Sequence, residues 1–275
     1  MKDLQILVAT MKQEDFSLVK KMNIKTNAII ANQHDIDSVI NQTTEHGDIK
    51  MITTATRGVG LNRNIALMAS DAEILLFADD DIVYYDGTLD GVKQAFKQLP
   101  DADVIIFSTD ITKNGDIIEK RYAPIKRRYI WDSLKYGTYA LAIRREAVIK
   151  ANITFNQLFG GGCIYGSGED SLFIIECLKK GLRVYTHPYV LGACAKDSSS
   201  WFEGYNEKYF FDKGAFWNFA FPKAKLLFIL ALAVKLKKKK KTELSLCQMI
   251  LSMIKGSKAS KALITYKEYV EGAGK

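Results

Sequence analysis

Glu73-Ile74-Leu75-Leu76-Phe77-Ala78-Asp79-Asp80-Asp81 is the stretch that decides the fold. Its apolar centre, Ile74 to Ala78, reads as a strand covered on both faces of a sheet. Three carboxylates follow one another at its carboxyl end. Side by side they repel, and they weaken the fold unless something positive sits among them. In open α/β sheets, ligands bind beyond the carboxyl ends of the strands. Mg²⁺ and Mn²⁺ suit that position, because these hard cations prefer carboxylate and phosphate oxygens. The stretch therefore predicts an α/β fold with a metal–phosphate site at the end of its fourth strand.

Strand and helix signals alternate on both sides of it. Residues 4–9, 27–31, 49–53 and 104–108 read as further strands, and 14–22, 61–69 and 89–99 as helices. A polar turn is expected at 32–35. This rhythm predicts a mostly parallel central sheet flanked by helices, with right-handed crossovers. Farther along, 111–121 reads as a hairpin turning at Asn114-Gly115. A strand at 139–143 and a short helix at 144–150 follow. A Gly-rich loop over 159–168 opens a helix at 169–180, closed by Gly181, and a strand at 182–186.

Charge separates the chain into two parts. Of the net +8, residues 222–275 carry 13 Lys against 3 Glu, or +10, which leaves residues 1–221 at −2. The body is nearly neutral, so nucleic acid is not an expected partner. The tail begins with nine apolar residues, 226–234, and continues into Lys237–Lys241. Nine is far short of the ~20 that a bilayer span needs, so no transmembrane helix is predicted. Apolar residues beside a lysine cluster instead read as an anchor lying on an anionic membrane surface; a packed helix pair with a solvated lysine face is the plainer alternative. Two units are expected: a catalytic domain over 1–221 and a helical, lysine-rich, membrane-associating tail over 222–275.

The 4 cysteines contain no C-x-x-C pair and suit a reducing compartment. The first nine residues include Asp3 and read as a strand rather than a secretion signal. A cytoplasmic protein at the inner face of the membrane is the resulting expectation.

Three constellations carry chemistry. In Arg57-Gly58-Val59-Gly60-Leu61-Asn62-Arg63-Asn64 the glycines allow close backbone approach, and a helix start favours anions. No Gly-Lys-Ser/Thr or G-x-G-x-x-G is present, so it is neither a P-loop nor a dinucleotide fingerprint. In the aspartate triplet, Asp79 and Asp81 form a D-x-D pair suited to a metal, and Asp80 could point away as a cap. In Gly166-Ser167-Gly168-Glu169-Asp170 the acidic pair either caps the helix or supplies a base for an attacking hydroxyl. His187, before Pro188, is a candidate third ligand. The aromatics Trp201, Phe202, Tyr205, Tyr209, Phe210 and Phe211 could stack on a sugar or fill a core.

Taken in order, these segments resemble the family-2 inverting glycosyltransferases of the GT-A fold, of the bacterial capsule and surface-polysaccharide type. The matching residues are Val8-Ala9-Thr10, Gly60-Leu61-Asn62-Arg63-Asn64, Phe77-Ala78-Asp79-Asp80-Asp81, Ile153-Thr154-Phe155-Asn156 and Gly168-Glu169-Asp170, within roughly residues 3–215. Tyr209-Phe210-Phe211-Asp212-Lys213-Gly214 adds to the likeness. The resemblance implies Mn²⁺ or Mg²⁺ and a nucleotide-sugar donor, in the first place a UDP-sugar. It also implies a hexosyl or N-acetylhexosaminyl transfer to a saccharide or lipid-linked saccharide. It places Thr10, Arg63, Asp79 and Asp80 on the nucleotide, Asp81 and Asp79 on the metal, Asp170 as catalytic base, and Glu169 beside it. Many relatives carry an Asp after the second strand, where this chain has Ala31-Asn32-Gln33; Asn32 then becomes the candidate for the base. A sugar nucleotidyltransferase of related fold would need a Gly-rich loop after the first strand, which Met11-Lys12-Gln13-Glu14 does not provide. A non-catalytic carbohydrate- or membrane-binding module is the remaining alternative.

Overall fold

The computed structural model describes residues 3–195 and 203–272. Trp201 and Phe202, read above as stacking or core aromatics, lie outside the described residues. The strands are β1 (Leu4–Met11), β2 (Ala28–Gln33), β3 (Ser38–Thr44), β4 (Gly47–Thr54), β5 (Ile74–Asp79), β6 (Ile82–Tyr84), β7 (Val104–Lys113), β8 (Asp116–Arg121), β9 (Lys126–Arg128), β10 (Leu141–Arg144) and β11 (Val184–Ala195). The helices of the first half are α1 (Ser17–Lys21), α2 (Val59–Ala69), α3 (Thr88–Gln98), α4 (Arg145–Lys150) and α5 (Glu169–Lys179). Four more follow: α6 (Glu207–Ala220), α7 (Lys225–Lys238), α8 (Leu246–Ala259) and α9 (Tyr266–Gly272). Ile130–Lys135 and Thr138–Ala140 wind as 3-10 turns.

One sheet runs in the order β3-β4-β2-β1-β5-β10-β7-β11-β6, with β8 on β7 and β9 on β11. Its parallel centre is β4-β2-β1-β5. The strands β1, β2 and β5 are buried almost end to end, as their continuous apolar runs require of strands covered on both faces. On one face Leu18 of α1, Met22 just after it, and Val92 and Phe96 of α3 pack on Ile6, Val8 and Leu76. On the other, Leu67, Val148 and Phe173, from α2, α4 and α5, pack on Leu7, Leu75 and Phe77. Antiparallel strands extend the parallel centre: β10 lies between β5 and β7, and β3 forms a hairpin with β4.

Two strands differ from the sequence reading. β3 carries Val39 and Ile40 exposed on an edge, and its mixed polarity hides it from a search for apolar runs. β11 continues well past Thr186. Pro188 lacks the N–H that the ladder needs, so the register shifts between His187 and Val190, and pairing with β7 then resumes as far as Ala195. The hairpin at Asn114-Gly115 forms with both residues at positive φ, 54° and 88°, as a tight turn matching strand twist demands. Gly181, at φ 84°, closes α5, with Leu182 N donating to Cys177 O.

The tail helices pack on the rest of the chain. A third core joins Phe159, Tyr165, Leu172 and Ile175 to Phe210, Phe211 and Trp217 of α6, Ile229 and Ala233 of α7, and Met249 and Met253 of α8. Residues on both sides of position 221 share it. Helices α6 and α8 meet backbone to backbone. A Cβ on Gly214 would stand 1.8 Å from Met253 O, and one on Gly256 1.9 Å from Phe211 O. Phe210 and Phe211 are core residues here, at most 1% exposed. Among the described residues no helix is long and apolar enough to cross a membrane.

Candidate active site

The parallel strands deliver their ends to one edge of the sheet. Ala9 of β1 pairs with Asp79 of β5, and Thr10 with Asn32 of β2. Helix α2 is bolted to that edge by its first turns. Asn62 Nδ2 donates to Ala31 O at 2.8 Å and to Thr10 O at 3.1 Å. Asn64 clamps Phe155 from both sides, Nδ2 donating to its carbonyl at 2.9 Å and Oδ1 accepting its N–H at 2.7 Å. Gly60 lets Asn156 approach, since a Cβ there would lie 2.4 Å from Asn156 O. Two of the matching segments are thus halves of one contact, made by buried amides that have no water to turn to.

Arg63 stands between these anchors. Its side chain is 5% exposed, with Nη2 2.7 Å from Asp79 Oδ1, and Nη1 2.7 Å from Asp170 Oδ1 and 3.3 Å from Glu169 Oε1. The Phe155 ring lies beneath the guanidinium, 5.5 Å from its centroid. Although burial opposes the charge, the three carboxylates raise the Arg63 pKa further above its already high value. The sequence reading places Arg63 near the base or phosphates; in this fold its Nη1 and Nη2 meet carboxylates, and it joins the aspartate cluster to the amino end of α5.

Asp170 is held by one oxygen. Its Oδ1 accepts from Arg63 and, in a very short hydrogen bond, from the Thr138 hydroxyl. Its Oδ2 accepts no hydrogen bond among the described residues. The side chain is 29% exposed. Such a carboxylate is fixed in direction and keeps a free oxygen for a proton. Thr138 had no signal in the sequence: it lies in an irregular stretch, and its role exists only because the 3-10 turn brings it against α5.

Glu169 sits deeper. Its Oε2 accepts the Gly168 N–H at 3.0 Å. Burial and the neighbouring Asp170 charge raise its pKa, against the pull of Arg63. The glycines around it serve packing more than substrate approach. A Cβ on Gly160 would meet the Glu169 carboxyl at 2.8 Å, and one on Gly168, at φ 133°, would meet Phe216 at 2.6 Å. Helix α6 holds the loop: Asp212 Oδ2 accepts the Gly166 N–H at 3.0 Å, and Lys213 Nζ donates to Ser167 Oγ at 3.1 Å.

The remaining candidates divide. Asp80 accepts from Thr10 Oγ1 at 2.5 Å, and Thr10 in turn accepts from Gln13 Nε2 at 3.1 Å. These two residues brace each other across the β1 and β5 ends. Asn32 is fully buried, its amide bonded to the Gln13 backbone and to Thr53 Oγ1. Expected at the base, in this fold it ties the segment after β1 to β2 and β4. His187 is also structural, with Nε2 3.0 Å from Gln98 Oε1 and Nδ1 accepting the Tyr189 N–H.

Asp81 differs from all of these. It accepts no hydrogen bond from another side chain among the described residues, and it opens to solvent on one side. Protein crowds it on the other, and that partial desolvation, with the Asp79 and Asp80 charges, pushes its pKa up to about 6. Among the described residues no three His, Cys, Asp or Glu side chains converge on a metal position. The donor set still fits a hard cation of the kind that takes one or two carboxylates and completes its shell with phosphate oxygens and water. Asp79, Glu169 and Asp170 face the buried Arg63, and Asp80 and Asp81 add two further carboxylates next in the chain; a cation arriving with an anionic ligand would offset their charge.

The family model for glycosyl transferase family 2 matches residues 17–156, which includes α2, the aspartate cluster and the Phe155 clamp. The chain belongs to glycosyl transferase family 2. Its glycosyltransferase fold is shared with solved structures of S. aureus TarS. The form comprising TarS residues 1–349 superposes with a TM-score of 0.59 at 12% identity, over 96% of this chain and 93% of that one. The same form in complex with UDP-GlcNAc gives 0.57 at 14% identity, over 99% and 80%. Its complex with UDP gives 0.56 at 14%, over 94% and 72%. A search of curated protein sequences finds no match.

Proposed function

We propose that this transferase moves a sugar from a nucleotide-diphosphate donor to a hydroxyl of a saccharide, free or lipid-linked, in surface-polysaccharide synthesis, with inversion at the anomeric carbon. One observation carries the reading. Asp170 is oriented through Oδ1 by Arg63 and Thr138, and its free Oδ2 stands beside an aspartate cluster suited to a diphosphate. The acceptor hydroxyl gives its proton to Asp170 Oδ2 as its oxygen bonds to the anomeric carbon. The bond from that carbon to the diphosphate oxygen breaks, and the diphosphate leaves with the electron pair. Attack from the face opposite the leaving group inverts the configuration, as in inverting hydrolases, where a carboxylate activates the nucleophile. Arg63 keeps the base and Asp79 in fixed relation. Glu169 packs behind Asp170 and shapes the acceptor side.

Asp81 and Asp79 would hold Mn²⁺ or Mg²⁺, which when bound supplies positive charge to the departing diphosphate. A uridine donor is the first to test, because two of the TarS structures contain UDP or UDP-GlcNAc. The hexosyl or N-acetylhexosaminyl class follows from the donor that binds. The decisive experiment is Asp170→Asn. The amide keeps the Oδ1 contacts and cannot take the proton, so donor binding by calorimetry should persist while transfer falls by about 10³-fold or more. Turnover within a few-fold of wild type would remove Asp170 from the role of base.

A further inference from the structure

Helix α7 buries Ile229, Ala233 and Leu236 against the third core and turns the rest of its surface outward. At 100° per residue, Leu226, Leu230, Val234 and Leu227 share one sector about 100° wide, adjoining the buried one. They are 59%, 68%, 49% and 39% exposed. Lys237 and Lys238 continue the same sector one turn on, and Lys239, Lys240 and Lys241 follow, all exposed. Helix α7 contains no acidic residue, and among the described residues none of Lys235, Lys238, Lys239, Lys240 or Lys241 forms an ion pair. Beside the helix stands Trp131, 74% exposed, stacked 6.5 Å from the rings of both Phe221 and Phe228.

We propose that this face, α7 with Trp131, docks flat on an anionic lipid bilayer, the leucines and the indole entering the acyl boundary and the lysines meeting the headgroups. The arrangement has the anatomy of an interfacial helix: an aliphatic stripe, a flanking Trp and lysines with no protein counter-charge. A second copy of the chain is the poorer occupant. A two-fold dimer sets such a face against itself, and α7 offers no acidic residue to meet the partner's lysines. The link to the site is short. Trp131 lies in the 3-10 turn Ile130–Lys135, and seven residues on Thr138 holds Asp170. Docking here would therefore set the cleft in a defined orientation to the bilayer.

The test uses the full chain and does not depend on transfer activity. Wild-type protein is floated with vesicles of phosphatidylcholine alone and of phosphatidylcholine with phosphatidylglycerol. Co-flotation with the anionic vesicles, weakened by high salt and at least tenfold weaker with neutral ones, is expected. The double variant Leu227→Asp, Leu230→Asp should lose binding by at least tenfold while the protein stays folded with a modestly lower Tm, since the side chains are 68% and 49% exposed. Trp131→Ala and the triple variant Lys238→Glu, Lys239→Glu, Lys240→Glu should each weaken it. The proposal is overturned by wild-type protein that stays unbound, by equal binding to neutral vesicles, or by an aspartate variant that binds like wild type. It is also overturned if sedimentation shows a dimer that Leu230→Asp dissociates, which would make the face a contact between copies.

Discussion

Arg63 Nη1 lies 2.7 Å from Asp170 Oδ1, although 107 residues separate them in the chain. This pair fixes the first turn of α2 to the first turn of α5. It works because Arg63 is a planar fork: one arm reaches Asp170 and Glu169, the other Asp79. A lysine would be a point charge at the end of a different stem. Arg63→Lys should therefore lower the transfer rate by about 10²-fold, the cost typical of a small misplacement at the reacting centre. Arg63→Met leaves three carboxylates without their cation and should destabilise the fold by about 3 kcal/mol or more. Chemical denaturation and transfer rates of both variants check this. Wild-type stability in Arg63→Met would mean that solvent, not Arg63, neutralises the cluster.

Thr138→Val is nearly isosteric and removes one donor from Asp170. Losing it leaves Arg63 as the remaining hydrogen-bond partner of Oδ1, so the carboxylate is held less firmly in direction. The expected outcome is a kcat lower by roughly tenfold with little change in donor affinity. Thr138→Ser keeps the hydroxyl and should restore kcat. A parallel loss in both variants would reduce Thr138 to packing.

Asp81 gives a prediction for the metal-free protein. Its pKa is raised to about 6 in the fold, above the ordinary carboxylate value near 4. Between those values the folded state binds more protons than the unfolded one, so stability from this group is present at low pH and is lost as pH rises through 6. Without metal, Tm should fall from pH 5 to pH 7 more steeply in wild type than in Asp81→Asn. At pH 7 the variant should be the more stable of the two. Adding Mn²⁺ with a nucleotide diphosphate should reverse that order, because only wild type keeps the carboxylate. Identical pH–Tm curves, with and without the cation, would place Asp81 outside any metal site.

The strands that build the site were legible because β1, β2 and β5 are buried on both faces and therefore carry unbroken apolar runs. The acidic cluster and Glu169-Asp170 were legible because charge in those positions needs a reason. The internal partnerships were not. Arg63 looks the same in sequence whether it meets phosphate or carboxylate. Asn32 looks like a base reader until its amide is seen bonded to Gln13 and Thr53. Thr138 and the Asn64–Phe155 clamp depend on contacts across tens of residues, and no local pattern encodes them. Composition changes at 221, and the apolar residues on both sides fill one core.

That shared core makes Gly214 the sharpest probe of whether the tail helices stabilise the site. A Cβ at Gly214 would fall 1.8 Å from Met253 O, so α8 would have to move away from α6. Helix α6 also carries Asp212 and Lys213, which hold Gly166 and Ser167 just ahead of Glu169 and Asp170. Gly214→Val should therefore do two things. It should lower stability by about 3 kcal/mol or more, as overpacking against an unyielding backbone does at its upper end. It should also reduce kcat in the molecules that remain folded, because the loop under the base loses its support. Asp212→Asn separates the two effects: it leaves the α6–α8 crossing intact and weakens the hold on Gly166, together with the ion pair to Lys208 at 3.3 Å. Its Tm should change little while kcat falls. If Gly214→Val unfolds the protein but Asp212→Asn keeps full activity, the tail stabilises the fold without positioning the catalytic loop.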